Sequence, residues 1–391
     1  MIENGFVELT DGVISQFGLA HEYSGPAIDL GDVALLPGWV NAHTHLEFSQ
    51  FDVPFGQCGI AFTDWVRGIV GHRFARGTTD EVAAVSSGFS ELTRTGTVGV
   101  GEIATSTNWI DDAKELAATE MTGTFFFELL GRDPAKIRDR LDDGATMIRQ
   151  CRRQPRFAPG ISPHAPYSVH PGLLKGLIEL SIAEKLPLAM HLAETREELE
   201  LLAAQSGPMV QMLKDFNAWF PDSFVRGERP LDYLKQLARA PRSLIIHGNY
   251  LSTEELNFIA DRKEQMHVVF CPRTHAFFGH ENYPLCEMLD RGINVALGTD
   301  SRGSNPDLNL LGEVQQVATS FPNLNVQQLL RLGTMAGAEA LNLGDAGQIA
   351  IGCRGLNVAS LIDGSIESSN PNDWIRDPGL AVATLSEFVS Q

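Results

Sequence analysis

Basic residues are scarce in this chain. Lys and Arg total 30 against 49 Asp and Glu, a formal charge of −19, which excludes binding to nucleic acid or to an anionic membrane through a broad basic surface. Long apolar runs are absent as well, and nothing approaches the ~18 uninterrupted residues that a membrane-spanning helix needs. Cysteine is thin and unpatterned. Cys58, Cys151, Cys271, Cys286 and Cys353 include no C-x-x-C pair, so reduced thiols in a cytoplasm are expected in place of a disulfide framework. The opening MIENGFVELTDG has neither the basic start nor the apolar core of a secretory signal, again pointing to a cytoplasmic protein. Internal repeats and low-complexity tracts are also missing. What remains is ordinary globular composition, 391 residues at 43% hydrophobic and 20% charged. That length buries a sizeable core in one large domain, or in a large one beside a small one.

The N-terminal stretch reads as short strands and turns. GFVELTDGVISQFG alternates about Asp11-Gly12, a hairpin turn in which glycine accepts positive φ. From residue 35 the rhythm becomes apolar strand, polar loop, amphipathic helix. The strand candidates are LLPGWVNA, TVGVGEIA, TGTFFFELL, RFAPGIS, LPLAM, SLIIHG, MHVVFC and INVALGT, with helical patterns such as EVAAVSSGFSELTR and EELELLAAQ between them. Eight β-α units in series predict a parallel sheet closed as a (β/α)8 barrel of the TIM type, over residues 37–345. Strand signals return in GQIAIG and GLNVASLID, and pairing with the N-terminal strands predicts a small β-sandwich domain from residues 1–36 and 346–391. An apolar-aromatic insertion at 206–230 reads either as a helix packed on the barrel or as pocket wall.

Polar residues gather at the strand ends. His43 and His45 close the first strand, Glu102 the second, Glu128 the third and His164 the fourth. His191 closes the fifth with Glu194 just after it, followed by His247, Cys271-Pro272-Arg273 and Asp300 on the last three. In a barrel all these ends open on one face, where active sites are built. Residues i and i+2 of a strand point the same way, so His43 and His45 reach one cation together. With His191 and Asp300 they offer three nitrogens and a carboxylate, a set for one catalytic divalent metal, Zn²⁺ or Fe²⁺. Strand 4 ends in Ser162-Pro163-His164, with no lysine or carboxylate to bridge a second ion. Glu194 then stands beside the metal as a carboxylate that divides acid and base work with Asp300. As a first-turn acid it also favours its helix by about 0.3–1 kcal/mol. His247 reads as a further ligand or as a group that orients the attacking water. Glu128 and Arg132 meet the far end of a substrate or pair with each other inside the barrel. Trp65 walls the pocket or fills the core, and Cys271 reads as a buried apolar residue.

The segments PGWVNAHTHLEFS, SPHAPYSV, HLAET, IIHGNYL and GTDSRGSNPDL resemble the amidohydrolase superfamily, in its cytosine-deaminase-like, chlorohydrolase-type branch. The resemblance runs to about residue 360. It implies that His43, His45, His191 and Asp300 bind one metal, that Glu194 shuttles protons, that His247 assists the nucleophile, and that His164 contacts substrate. Within the branch, FCPRTHAFFGHENYPL is most similar to the aminodeoxyfutalosine deaminases, which act on a nucleoside carrying adenine and benzoate in menaquinone biosynthesis. A benzoate calls for a cation, and Arg273, His275 and His280 are the groups expected to meet it. Relatives of this kind are often homodimers acting on small molecules. The tail departs from the family, with Asn357 where relatives often carry aspartate.

The reaction so implied is hydrolytic deamination. Glu194 protonates the ring nitrogen beside the attacked carbon, Asp300 takes a proton from the nucleophile, and ammonia leaves. Rivals are deamination of adenosine, adenosylhomocysteine, methylthioadenosine, guanine or cytosine, a triazine-type chlorohydrolase, and a catalytically inactive barrel scaffold. Departing ammonia needs a proton and chloride does not, so Glu194 favours deamination.

Overall fold

The computed structural model describes residues 2–75, 78–110, 120–355, 358–362, 375–377 and 380–384. Strands β1 (Gly5–Thr10) and β2 (Val13–Leu19) form an antiparallel hairpin, and Asp11 and Gly12 at its turn both have positive φ. Strand β3 (Val33–Pro37) pairs antiparallel with β12 (Val358–Ile362), which in turn pairs with β13 (Ala381–Thr384). GQIAIG, expected as a strand, forms turns instead; there Ile14 donates to the Cys353 carbonyl at 2.8 Å. Asn357 lies outside the described residues.

Eight parallel strands follow: β4 (Trp39–Thr44), β5 (Thr97–Ala104), β6 (Thr122–Leu129), β7 (Phe157–Pro163), β8 (Leu188–Leu192), β9 (Ser243–His247), β10 (Met266–Phe270) and β11 (Val295–Leu297). They are hydrogen-bonded in chain order. This is the (β/α)8 barrel of the TIM type that the alternation of strand and helix predicts. LLPGWVNA, expected as one strand, divides at Gly38 between β3 and β4. A Cβ on Gly38 would lie 2.3 Å from a Val98 methyl, so only glycine lets the chain cross there.

Alternation within the strands sorts their apolar side chains. Val40, Ala42, Phe126, Ala189, Ile246 and Val269 fall in one cluster, and their neighbours Phe125, Phe127, Met190, Ile245 and Val268 in another with the helices. Both faces are therefore apolar, which is why these strands read as nearly continuous hydrophobic runs. The helices carry their own start signals: Ser252 with Glu255 and Asn325 with Gln328 form reciprocal capping boxes. The 206–230 insertion contains the helix Pro208–Asp215. Its Met209, Met212 and Leu213 pack with Phe62, Tyr167, Phe277 and Phe278, as expected of a helix lying on the barrel.

A buried histidine cluster closes the barrel

The first and last barrel strands meet at one parallel bridge, Thr44 with Asp300. A Cβ on Gly298 would stand 2.8 Å from the His43 carbonyl oxygen, so the seam closes only over glycine. The seam brings His43, His45 and Asp300 together, with both histidine Nε2 atoms 3.7 Å from Asp300 Oδ1. The His191 ring lies 5.0 Å from that of His43 and 5.5 Å from that of His45. His247 follows at 5.4 Å from His191. Nearest ligand atoms within His43–His45–Asp300, and within His43–His191–His247, all lie within 4.8 Å of one another.

These residues fit a divalent ion. His43 is fully buried, yet neither ring nitrogen has a hydrogen-bond partner, a costly state that a coordinated cation relieves. Burial, reinforced by the other histidines, pushes His43 and His45 well below the ordinary imidazole range, so they present neutral ligand nitrogens. His191 Nδ1 faces the His164 carbonyl at 3.0 Å, which fixes the tautomer and aims Nε2 inward. Glu128, His164 and His191 form an adjoining group with the same 4.8 Å spacing.

The acid side of the site is equally enclosed. Glu194 Oε1 lies 3.4 Å from His247 Nε2. Burial, and then the nearby Asp300 charge, raise the Glu194 carboxyl well above the carboxylate range, so it is protonated at neutral pH. Burial lowers His247 well below the imidazole range, leaving it neutral. His247 and Asp300 both occupy the left-handed region, at φ 66° and 55°, a conformation that non-glycine residues adopt at a cost. Neighbouring contacts hold them there. Tyr283 donates to the His247 carbonyl at 2.9 Å, and Thr44 donates to the Asp300 carbonyl at 3.0 Å.

Several supporting residues escape sequence reasoning. Glu198 accepts hydrogen bonds from the Ala193 and Glu194 backbone, both at 2.9 Å, and so fixes the turn that presents Glu194. Its signal is the Thr195-x-x-Glu198 pattern, which reads as a helix cap. Asn249 donates to the Glu194 carbonyl at 2.9 Å, and Asn41 ties β4 to Thr299 at 2.7 Å. Nothing in their sequence surroundings marks either asparagine. Glu102 receives the Leu46 backbone N–H on both oxygens at 3.1 Å, steadying the turn after His45.

Other expected site residues are distributed differently. His164 sits beside the cluster, its ring 5.0 Å from His191 and its Nε2 3.9 Å from Glu128. Burial lowers it to about 4, so it is neutral. Trp65 stacks on Phe62 at 6.0 Å and meets Phe278 edge-on at 5.3 Å, with Nε1 donating to Gly303. Cys271 is buried, as expected. Arg273 departs from expectation: its guanidinium is engaged at 2.7 Å by both Glu313 and Asp307. The fully buried Glu313 requires a counter-charge, and Arg273 supplies it. His275 and His280 are correspondingly not cations, since burial lowers each to about 4. Arg132 neither faces the site nor pairs with Glu128. It donates to the Pro166, Val169 and Ser223 carbonyls and lies 3.4 Å over the Phe224 ring.

Residues 34–355 match the model of the amidohydrolase family. The aminodeoxyfutalosine deaminase of Deinococcus radiodurans is 30% identical over 331 residues, 82% of this chain and 76% of that protein. The 5-methylthioadenosine/S-adenosylhomocysteine deaminase of Syntrophobacter fumaroxidans is 26% identical, covering 89% of this chain and 78% of its own length. Among solved structures, Helicobacter pylori aminofutalosine deaminase in complex with methylthio-coformycin superposes with a TM-score of 0.81 at 22% identity, over 96% of this chain and 90% of that one. This chain belongs to the amidohydrolase family.

Proposed function

We propose that the protein is a divalent-metal-dependent aminohydrolase that removes the exocyclic amino group of a purine-type nucleoside, with 6-amino-6-deoxyfutalosine as substrate in menaquinone biosynthesis. The observation that carries this reading is the protonated, buried Glu194 carboxyl facing neutral His247 beside a four-residue ligand set. Two curated relatives named as deaminases of adenine-bearing nucleosides support the reaction class and the ring.

His43, His45, His191 and Asp300 would hold the ion, zinc with iron as the alternative the same donors accept. When bound, the metal supplies Lewis acidity that makes water nucleophilic near neutral pH. Glu194 delivers its proton to the ring nitrogen beside the carbon under attack, which draws electrons from that carbon. His247, fixed through its own carbonyl by Tyr283, orients the attacking water. Asp300 accepts the water's proton as the C–O bond forms. A carboxyl of the pair then passes a proton to the amino group, the C–N bond breaks, and ammonia departs. His164 and Glu128 line the adjoining polar wall and meet the substrate there. We further take residues 1–36 and 346–391 as one small β domain beside the 37–345 barrel, on the pairing of β3 with β12.

The test is ammonia release by the zinc-loaded protein from aminodeoxyfutalosine, adenosine, adenosylhomocysteine, methylthioadenosine, guanine and cytosine. Preference for aminodeoxyfutalosine is expected, with Glu194→Gln lowering kcat by about 10²–10⁴ at unchanged metal content. Preference for another ring would discard this substrate and keep the mechanism; silence on all six with metal bound would overturn both.

A further inference from the structure

A substrate that carries a carboxylate needs a cation within the site, and Arg273 is not that cation. The other arginines that touch the surrounding elements are committed as well. Arg132 is surrounded by carbonyls, Arg302 is 3.0 Å from Glu91 and Arg67 is 2.8 Å from Asp215. Arg73 differs. It stands in the last turn of helix α1 (Phe62–Ala75), one residue after His72. Its only ion pair among the described residues is a loose one, Nε to Glu47 Oε2 at 3.5 Å, and 39% of its side chain is exposed.

The turn of Arg73 is anchored to the metal cluster through a run of rings. His45 lies 6.3 Å from Phe48, Phe48 lies 6.2 Å from Phe51, and Phe51 lies 4.4 Å from His72. Glu47, the partner of Arg73, follows His45 by two residues and accepts from Thr105 at 3.2 Å. The charge of Arg73 also reaches the polar wall. After His191, it is the next group that restrains Glu128 against the larger upward push of burial, and after burial it is what lowers His164. Arg73 therefore faces Glu128 and His164 from α1, with its two terminal amino groups outside the contact to Glu47. A planar guanidinium with two such groups binds a carboxylate in bidentate fashion.

We infer that Arg73 is the specificity-determining residue that binds a carboxylate at the end of the substrate remote from the aminated ring. The inference deepens the substrate reading above and rests on it for the identity of the acid. The experiment compares zinc-loaded wild type, Arg73→Met and Arg73→Lys on aminodeoxyfutalosine, its methyl ester, adenosylhomocysteine and methylthioadenosine. Arg73→Met is expected to raise KM for aminodeoxyfutalosine about tenfold or more, with kcat little changed and a much smaller effect on the ester. Arg73→Lys is expected to recover part of the loss. Equal effects on acid and ester, or no effect on either, would overturn the role of Arg73. A wild type that prefers adenosylhomocysteine, with the Arg73→Met penalty falling on it and sparing methylthioadenosine, would retire aminodeoxyfutalosine as substrate and sustain the carboxylate contact.

Discussion

Thr44 sits between His43 and His45, and its hydroxyl donates to the backbone carbonyl of Asp300 at 3.0 Å. One side chain thus sets the distance between ligands contributed from opposite ends of the barrel. Thr44→Val keeps the shape and removes the hydrogen bond. Because Thr299 also reaches that carbonyl, at 3.3 Å, the stability loss is expected at the low end, about 1 kcal/mol. Metal affinity should fall more noticeably. Denaturant unfolding and zinc titration check both, and unchanged affinity would show that the seam holds without the hydroxyl.

Stripping the metal is expected to abolish activity and lower Tm, with zinc restoring both. His43 has no partner for either ring nitrogen in its fully buried position, so the metal-free protein retains that cost, and an ion that binds only the folded state stabilises by mass action. Thermal melts with and without chelator make the comparison. A Tm indifferent to chelator would mean the cluster is stable empty.

Glu198 gives a signed pH effect. Burial raises its carboxyl to about 7 from an ordinary 4.5. The folded state therefore holds a proton that the unfolded state has released between those values. Stability contributed below 4.5 is lost as pH climbs through 7, by about 3 kcal/mol in all. Glu198→Gln should flatten that slope. It should also lower kcat at unchanged metal content, because Glu198 is a positioning residue that orients Glu194 through the backbone. Unfolding free energies measured between pH 4.5 and 8 would reveal a slope of the wrong sign.

Arg273→Met is expected to damage the fold and spare recognition. It leaves the fully buried Glu313 without its counter-charge, a loss of about 3–5 kcal/mol. The KM ratio of aminodeoxyfutalosine to its methyl ester should stay as in the wild type. A selective rise for the acid would return Arg273 to the substrate.

The barrel was legible because its signals are local. Apolar runs such as TGTFFFELL and SLIIHG are long enough to be strands, buried on both faces, and the polar residue closing each run marks the catalytic face. His43, His45, His191, Glu194, His247 and Asp300 could be named for the same reason, since each sits where a strand stops. The strand break at Gly38 was less legible, because only contact with Val98 forces it.

What the sequence by itself determined is the periodicity, and with it the eight-unit barrel and the ring of polar strand ends. Tertiary structure alone decided which charges spend themselves on each other. Arg273 and Glu313 lie 40 residues apart in the chain, and nothing local in either announces that one will neutralise the other. The same holds for Glu198, whose carboxylate is drawn from a helix cap into a clamp on Glu194. Long-range pairing of buried polar groups depends on which side chains the fold encloses together, and the free energy of leaving one unpaired is set by that enclosure. Enclosure took Arg273 out of recognition and left Arg73, on another helix, in reach of the site.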